Sequence, residues 1–132
     1  MLSRLDQVLG FHEQAMALRA KRQQLIAANI ANADTPNYKA RDFNFAQTMQ
    51  AVQGMNNNLV NLEKTDVKHL PVVESSLEPR VFKKPYQQNN FDLNTVDLDV
   101  ERQAFADNAV HYEADVNFAH DQIKGLLSVL QG

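Results

Sequence analysis

Cysteine is missing from this chain altogether, which removes disulfide stapling and thiolate chemistry and leaves the redox compartment open. No run of 18 apolar residues occurs either, so no segment is predicted to cross a bilayer as a helix. Asp6 and His12 fall where a secretory signal needs an unbroken apolar stretch. A chain that leaves the cytoplasm would therefore need a route without a cleaved signal of that kind. Basic excess is lacking: 13 Lys and Arg stand against 16 Asp and Glu, a net charge of -3, and no basic stripe with interleaved aromatics offers a nucleic-acid surface. Glycine-rich phosphate loops, zinc-protease motifs and nucleophile elbows are absent, as are internal repeats of 20 to 50 residues. The histidines, His12, His69, His111 and His120, are scattered. His111 and Asp115 share a helix face at i, i+4, but a third metal ligand at useful spacing is missing. No catalytic residue, metal ligand or cofactor is expected.

What is present is two strongly patterned ends around an irregular middle. At 132 residues the chain suits one domain, or one compact piece with extended arms. Residues 1–42 carry six basic and four acidic side chains, whereas residues 91–132 carry two basic and eight acidic. Opposite bias favours association of the two ends over self-pairing of either, although each exposed pair contributes only a few tenths of a kcal/mol. The C-terminal third holds the clearest periodicity. Steps of four and three from Leu98 meet Arg102, Phe105, Ala109, Tyr112, Val116, Ala119, Ile123, Leu126 and Leu130, and nine of these ten are apolar or aromatic. That is a sustained heptad seam. Asn94 or Asp97 can cap such a helix, and Asp97, Asp99 and Glu101 crowd its first turns, where the helix dipole favours carboxylates. Gly125 weakens it locally.

The N-terminal segment has a broader apolar face. Val8, Phe11, Ala15, Leu18 and Leu25 fall on one seam, interrupted by Arg22 and Asn29. Leu2, Leu5, Leu9, Met16, Ile26 and Ile30 fall on an adjacent one, giving enough surface for two neighbours. Gly10 is expected to set off a first short turn, and Arg19, Lys21 and Arg22 a basic girdle on a solvated or inter-subunit face. In the middle, residues 43–53 read as a short helix with Phe45, Met49 and Val52 on one side, broken by the GMNNN run at 54–58. Residues 67–73 and 77–82 are candidate short strands of a small β-hairpin, and 87–90 a loop. The expected fold is mainly α: long N- and C-terminal helices paired as an antiparallel coiled-coil hairpin, with residues 1–33 and 96–132 as a discontinuous axial domain and 34–95 as an outer strap. Two helices cover only part of each apolar face, so the remainder is expected to be buried by other subunits.

The join between helix and strap, ANIANADTPNYKARDF at residues 28–43, is the most informative stretch. Asn29 and Asn32, three residues apart, present two amides on one helix face. Pro36 biases Thr35 away from helix geometry, and a Tyr-bearing extended segment follows. This block, the FDLNTVDLDVERQAFADNAVHYEADVNF run from Phe91, and the closing IKGLLSVLQG together resemble the flagellar basal-body rod family. The asparagine block resembles the N-terminal motif shared by flagellar axial proteins, and the short length is similar to that of proximal rod members. Asn37 departs from the glycine such motifs often carry, but asparagine tolerates a left-handed backbone.

The resemblance implies a structural, non-enzymatic subunit of the periplasmic rod, exported by the flagellar type III apparatus. It implies assembly with copies of itself, other proximal rod proteins and the MS-ring/rod junction protein. In that setting the C-terminal seam binds the N-terminal one, Asn29 and Asn32 tie the first helix to a neighbour or to the strap, and Tyr38, Lys39, Arg41 and Phe43 dock the strap on an adjacent subunit. Amphipathic ends alone leave a second class open: a soluble helical-hairpin adaptor or export chaperone, which would be cooperatively folded on its own.

Overall fold

A computed structural model of the chain describes residues 2–60, 79–85 and 91–132. Its frame is two long helices, α1 (Leu2–Ala31) and α3 (Leu98–Gln131), packed against each other. Between them in sequence come β1 (Arg41–Phe43), α2 (Phe45–Val60) and β2 (Val81–Lys83). α3 has 34 residues, a rod of about 50 Å at 1.5 Å per residue. It begins where the caps predicted: the Asp97 side chain accepts from the Asp99 and Val100 amides at 3.1 and 3.3 Å, satisfying donors that the first helical turn leaves orphaned.

α1 runs unbroken through Gly10, so the separate first turn expected there does not form. The helical pattern on both sides outweighs the modest penalty of one glycine. α2 likewise continues through Gly54 to Val60, beyond the expected break at GMNNN. Asn44 starts it, accepting from the Gln47 amide at 3.0 Å. Met49 is buried and Phe45 and Val52 half-buried, the side predicted.

β1 and β2 form a two-stranded antiparallel sheet in the register Arg41↔Lys83, Asp42↔Phe82, Phe43↔Val81. Its first strand, residues 41–43, lies just beyond the turn that follows α1. The candidate strand at 67–73, residues 77–78 of the candidate strand at 77–82 and the 87–90 loop lie outside the described residues. The apolar core is small: Ala15, Leu18, Phe43 and Met49, with Leu25 and Phe45 packed against it. It lies between α1, the strap and α2. Half of the N-terminal seam is thus covered by the chain's own strap.

Candidate functional site

The strap leaves α1 through a turn whose carbonyls would otherwise be orphaned. Asn32 closes part of it, donating from Nδ2 to the Ala28 carbonyl at 2.8 Å and accepting from the Thr35 hydroxyl at 3.2 Å. The rest is closed from across the sequence. Asn94, 1% exposed, donates from Nδ2 to the carbonyls of Asn32, Ala33 and Thr35 at 2.9, 2.9 and 2.8 Å, and its Oδ1 accepts from the Val96 amide at 2.8 Å. Asn94 thus caps the end of α1, not the start of α3. Asn37 adopts φ 62° as expected, and its amide donates to the Asp92 carbonyl at 2.8 Å. The strap then runs alongside the segment before α3. The Thr95 amide donates to the Tyr38 carbonyl at 3.0 Å, and the Ala40 amide to the Thr95 hydroxyl at 2.8 Å. Leu93 takes φ 59° at this crossing, a conformation that costs a leucine about 1 kcal/mol, and its carbonyl accepts from Lys39 Nζ at 2.7 Å.

Asn29 is the second buried amide, fully enclosed. Its Nδ2 donates to the Arg41 carbonyl at 2.8 Å and to Glu101 Oε2 at 3.2 Å. Its Oδ1 accepts from the Arg41 amide at 3.0 Å and from the Tyr38 hydroxyl at 3.2 Å. One side chain therefore joins α1, the strap and α3. Glu101 is itself buried and is paired with Lys84 Nζ, whose backbone amide donates to the Ala40 carbonyl at 2.7 Å.

Further along, the two helices meet through polar groups. Asn108 Nδ2 donates to the Arg19 carbonyl and to Gln23 Oε1, both at 2.8 Å. Asp115 accepts from Arg19 Nε at 3.2 Å and lies 3.4 Å from His12 Nδ1. The partners on α1 fall from 29 to 12 as those on α3 rise from 101 to 115, so the helices run antiparallel. Arg19 also lies over the Phe45 ring, 4.0 Å from its centroid, and Arg22 forms a two-pronged pair with Asp42 at 3.1 and 3.2 Å. Arg19 and Arg22 are therefore paired within the chain, where a girdle on a solvated or inter-subunit face was expected. Asp115 is turned toward α1, not used in an i, i+4 pair with His111.

Glu101, Asn108 and Asp115 recur at intervals of seven and were missed as an inward-facing line, because charged and amide side chains are by default assigned to solvent. The equal spacing, matched by polar side chains in opposite sequence order on α1, was the available signal. Asn94 had no such signal, since its partners lie some sixty residues away.

The predicted seam residues divide. On α1, Ala15, Leu18 and Ile26 are buried, Leu25 and Ile30 half-buried, and Val8 and Phe11 exposed. On α3, Leu98, Ala119 and Leu126 are half-buried, while Phe105, Ala109, Tyr112, Val116, Ile123 and Leu130 are exposed. Within one chain much of the α3 seam stays exposed, while the polar line bonds to α1. Ile30 and Phe105 instead line a shallow groove with Ala27, Ala31 and Arg102. In the strap, Thr35, Pro36 and Arg41 are exposed, Tyr38 and Lys39 are half-buried and bonded within the chain, and Phe43 is 2% exposed. Phe43 packs in the chain's own apolar core. Among the described residues no helix is long and apolar enough to cross a membrane, and no three His, Asp or Glu side chains gather as a metal site would need.

The flagella basal body rod protein family model matches residues 9–39, the stretch that contains Asn29, Asn32 and the turn. Over nearly the whole chain the sequence is similar to flagellar basal body rod protein FlgB from several bacteria. It is 43% identical to that of Proteus mirabilis, covering 99% of this chain and 98% of the relative. The figures are 42% for Escherichia coli, with the same coverage, and 43% for Salmonella typhimurium, covering 100% and 99%. A clasped pair of terminal helices with an uncovered apolar line, a family match on the asparagine turn and identity at this level from end to end lead to one assignment: the chain belongs to the FlgB family of flagellar basal body rod proteins.

Proposed function

We propose that this chain is a structural subunit of the flagellar basal-body rod and has no enzymatic role. The observation that carries this reading beyond family membership is the apolar line Phe105, Tyr112, Val116, Ile123 and Leu130, each of which stays at least 40% exposed beside α1. Apolar side chains repeating over some seven turns of one helix form a continuous surface, and such surfaces are buried in assemblies. Residues 1–33 and 96–132 act as the axial unit, paired as a coiled coil within the rod and completed by helices of neighbouring subunits. Residues 34–95 form the outer strap. The neighbours are further copies, other proximal rod proteins and the MS-ring/rod junction protein, reached in the periplasm after passage through the flagellar export apparatus without a cleaved signal. Torque passes through packed side chains, not through chemistry. The adaptor or chaperone reading is not favoured, since the relatives are rod proteins.

Replacing Phe105 by Asp places a charge on the uncovered line while leaving the clasp intact. Loss of swimming, with the variant chain absent from purified basal bodies, is the expected result. Normal motility with the variant present in the rod would defeat the reading.

A further inference from the structure

α3 carries two parallel lines. Glu101, Asn108, Asp115 and Gln122 recur every seventh residue, and the first three bond to α1. The apolar line Phe105, Tyr112, Val116 and Ile123 lies roughly 40–100° around the same helix and stays exposed. A small roll of α3 about its axis would exchange them, burying the apolar line on α1. Apolar burial alone favours that rolled state, so something must hold α3 in the observed one. We propose that the polar line is the device: it fixes the roll of α3 against α1 so that the apolar face is kept outward for other subunits.

Two observations support a positional role over a stabilising one. Asn108 is 3% exposed, yet its Oδ1 has no hydrogen-bond partner, and the buried Oε1 of Gln122 has none. Burying unpaired polar atoms lowers stability relative to a hydrocarbon of the same size. What these groups supply is orientation, because each satisfied rung exists only at one roll angle. Asn108 reaches a backbone carbonyl as well as Gln23, and Asp115 sits against two cationic or donor side chains, Arg19 and His12. Single buried polar groups are known to select one helix arrangement over more stable alternatives. Here the selection would prevent the chain from satisfying its own apolar surface. The inference deepens the rod reading, but its test uses the isolated chain.

The native sequence has no cysteine, so one introduced thiol reports one position. Val116→Cys sits on the apolar line, and Ala104→Cys on the opposite flank, half-buried in the native roll. Each is combined with Asn108→Ala, Asp115→Ala and Gln122→Ala together, which removes the three rungs beyond Glu101 while adding no bulk. The rate of thiol modification is then compared with that in the native background. The expected result is several-fold slowing at Val116→Cys and several-fold quickening at Ala104→Cys, with helix content by circular dichroism unchanged. Unchanged rates overturn the proposal, and so does quickening at both positions, which would mean that α3 detaches instead of rolling. Asp115→Ala alone keeps the clasp and the Asn108 rung, so both rates should stay near the native values in that background, and opposite shifts as large as those of the triple variant would overturn the proposal. If swimming resists Phe105→Asp but the thiol rates move oppositely, the rod reading fails and the roll device stands.

Discussion

The two ends of the helical pair are built on different principles. Where α1 ends and α3 begins, Asn29, Asn94 and Glu101 are each 1% exposed or less and their polar atoms are bonded within the chain. Toward the far end, Phe11, Val116, Ile123 and Leu127 stand 38–48% exposed, and Val129 and Leu130 about three-quarters. Buried, directional bonds define a single geometry without help from outside. Exposed apolar side chains define none until another surface covers them. The clasp end therefore has its buried polar groups satisfied within one molecule, whereas the far end is marked by exposed apolar side chains of α1 and α3.

The sharpest way to break this contrast is to remove a cation from the clasp. Lys84→Met leaves the Glu101 carboxylate buried beside Asn29 without its charged partner, a change that costs on the order of 3–5 kcal/mol. Urea unfolding of the isolated chain should show that loss, and the double variant with Glu101→Met should recover most of it. If the single variant is as stable as the native chain, the clasp is not what holds this end together. A smaller loss follows from Asn94→Ala, which strips donors from three carbonyls. At about 1 kcal/mol net for each bond made, the change is roughly 2–3 kcal/mol. Hydrogen exchange should quicken at the end of α1 and in the strap before it does so elsewhere; uniform quickening would argue against a local cap.

Much of this was legible in the residues, and the division between what was and what was not is physical. Periodicity located both long helices, and the Asp97 start and the left-handed Asn37 followed from local chemistry, which depends only on neighbours in sequence. Asn29 was singled out, and its bond to the following strap was one of the outcomes expected. Asn94 was read as a helix start, because nothing near it in sequence points to the carbonyls of residues 32, 33 and 35. The α3 seam was recognised as apolar and assumed to face α1. Hydrophobic pattern reveals that a face will be buried but not by what, and here hydrogen bonds on an adjacent line decided which side turned inward.

A finer comparison sets a cap against a surface. Asp97→Ala removes the acceptor for two amides at the start of α3 and should lower stability by about 1 kcal/mol, less than either change within the clasp. Ile123→Asp, at the far end, replaces a side chain that is 47% exposed. Substitutions on such surfaces shift stability by roughly 0.5 kcal/mol or less, so the isolated variant should unfold within that margin of the native chain. Its effect belongs to the assembled state, where a desolvated carboxylate without a partner opposes packing. The expected pair of results is an unchanged urea midpoint together with lost swimming. A large drop in stability would mean that Ile123 is already engaged within the chain, and the contrast between a finished end and an open one would then be lost.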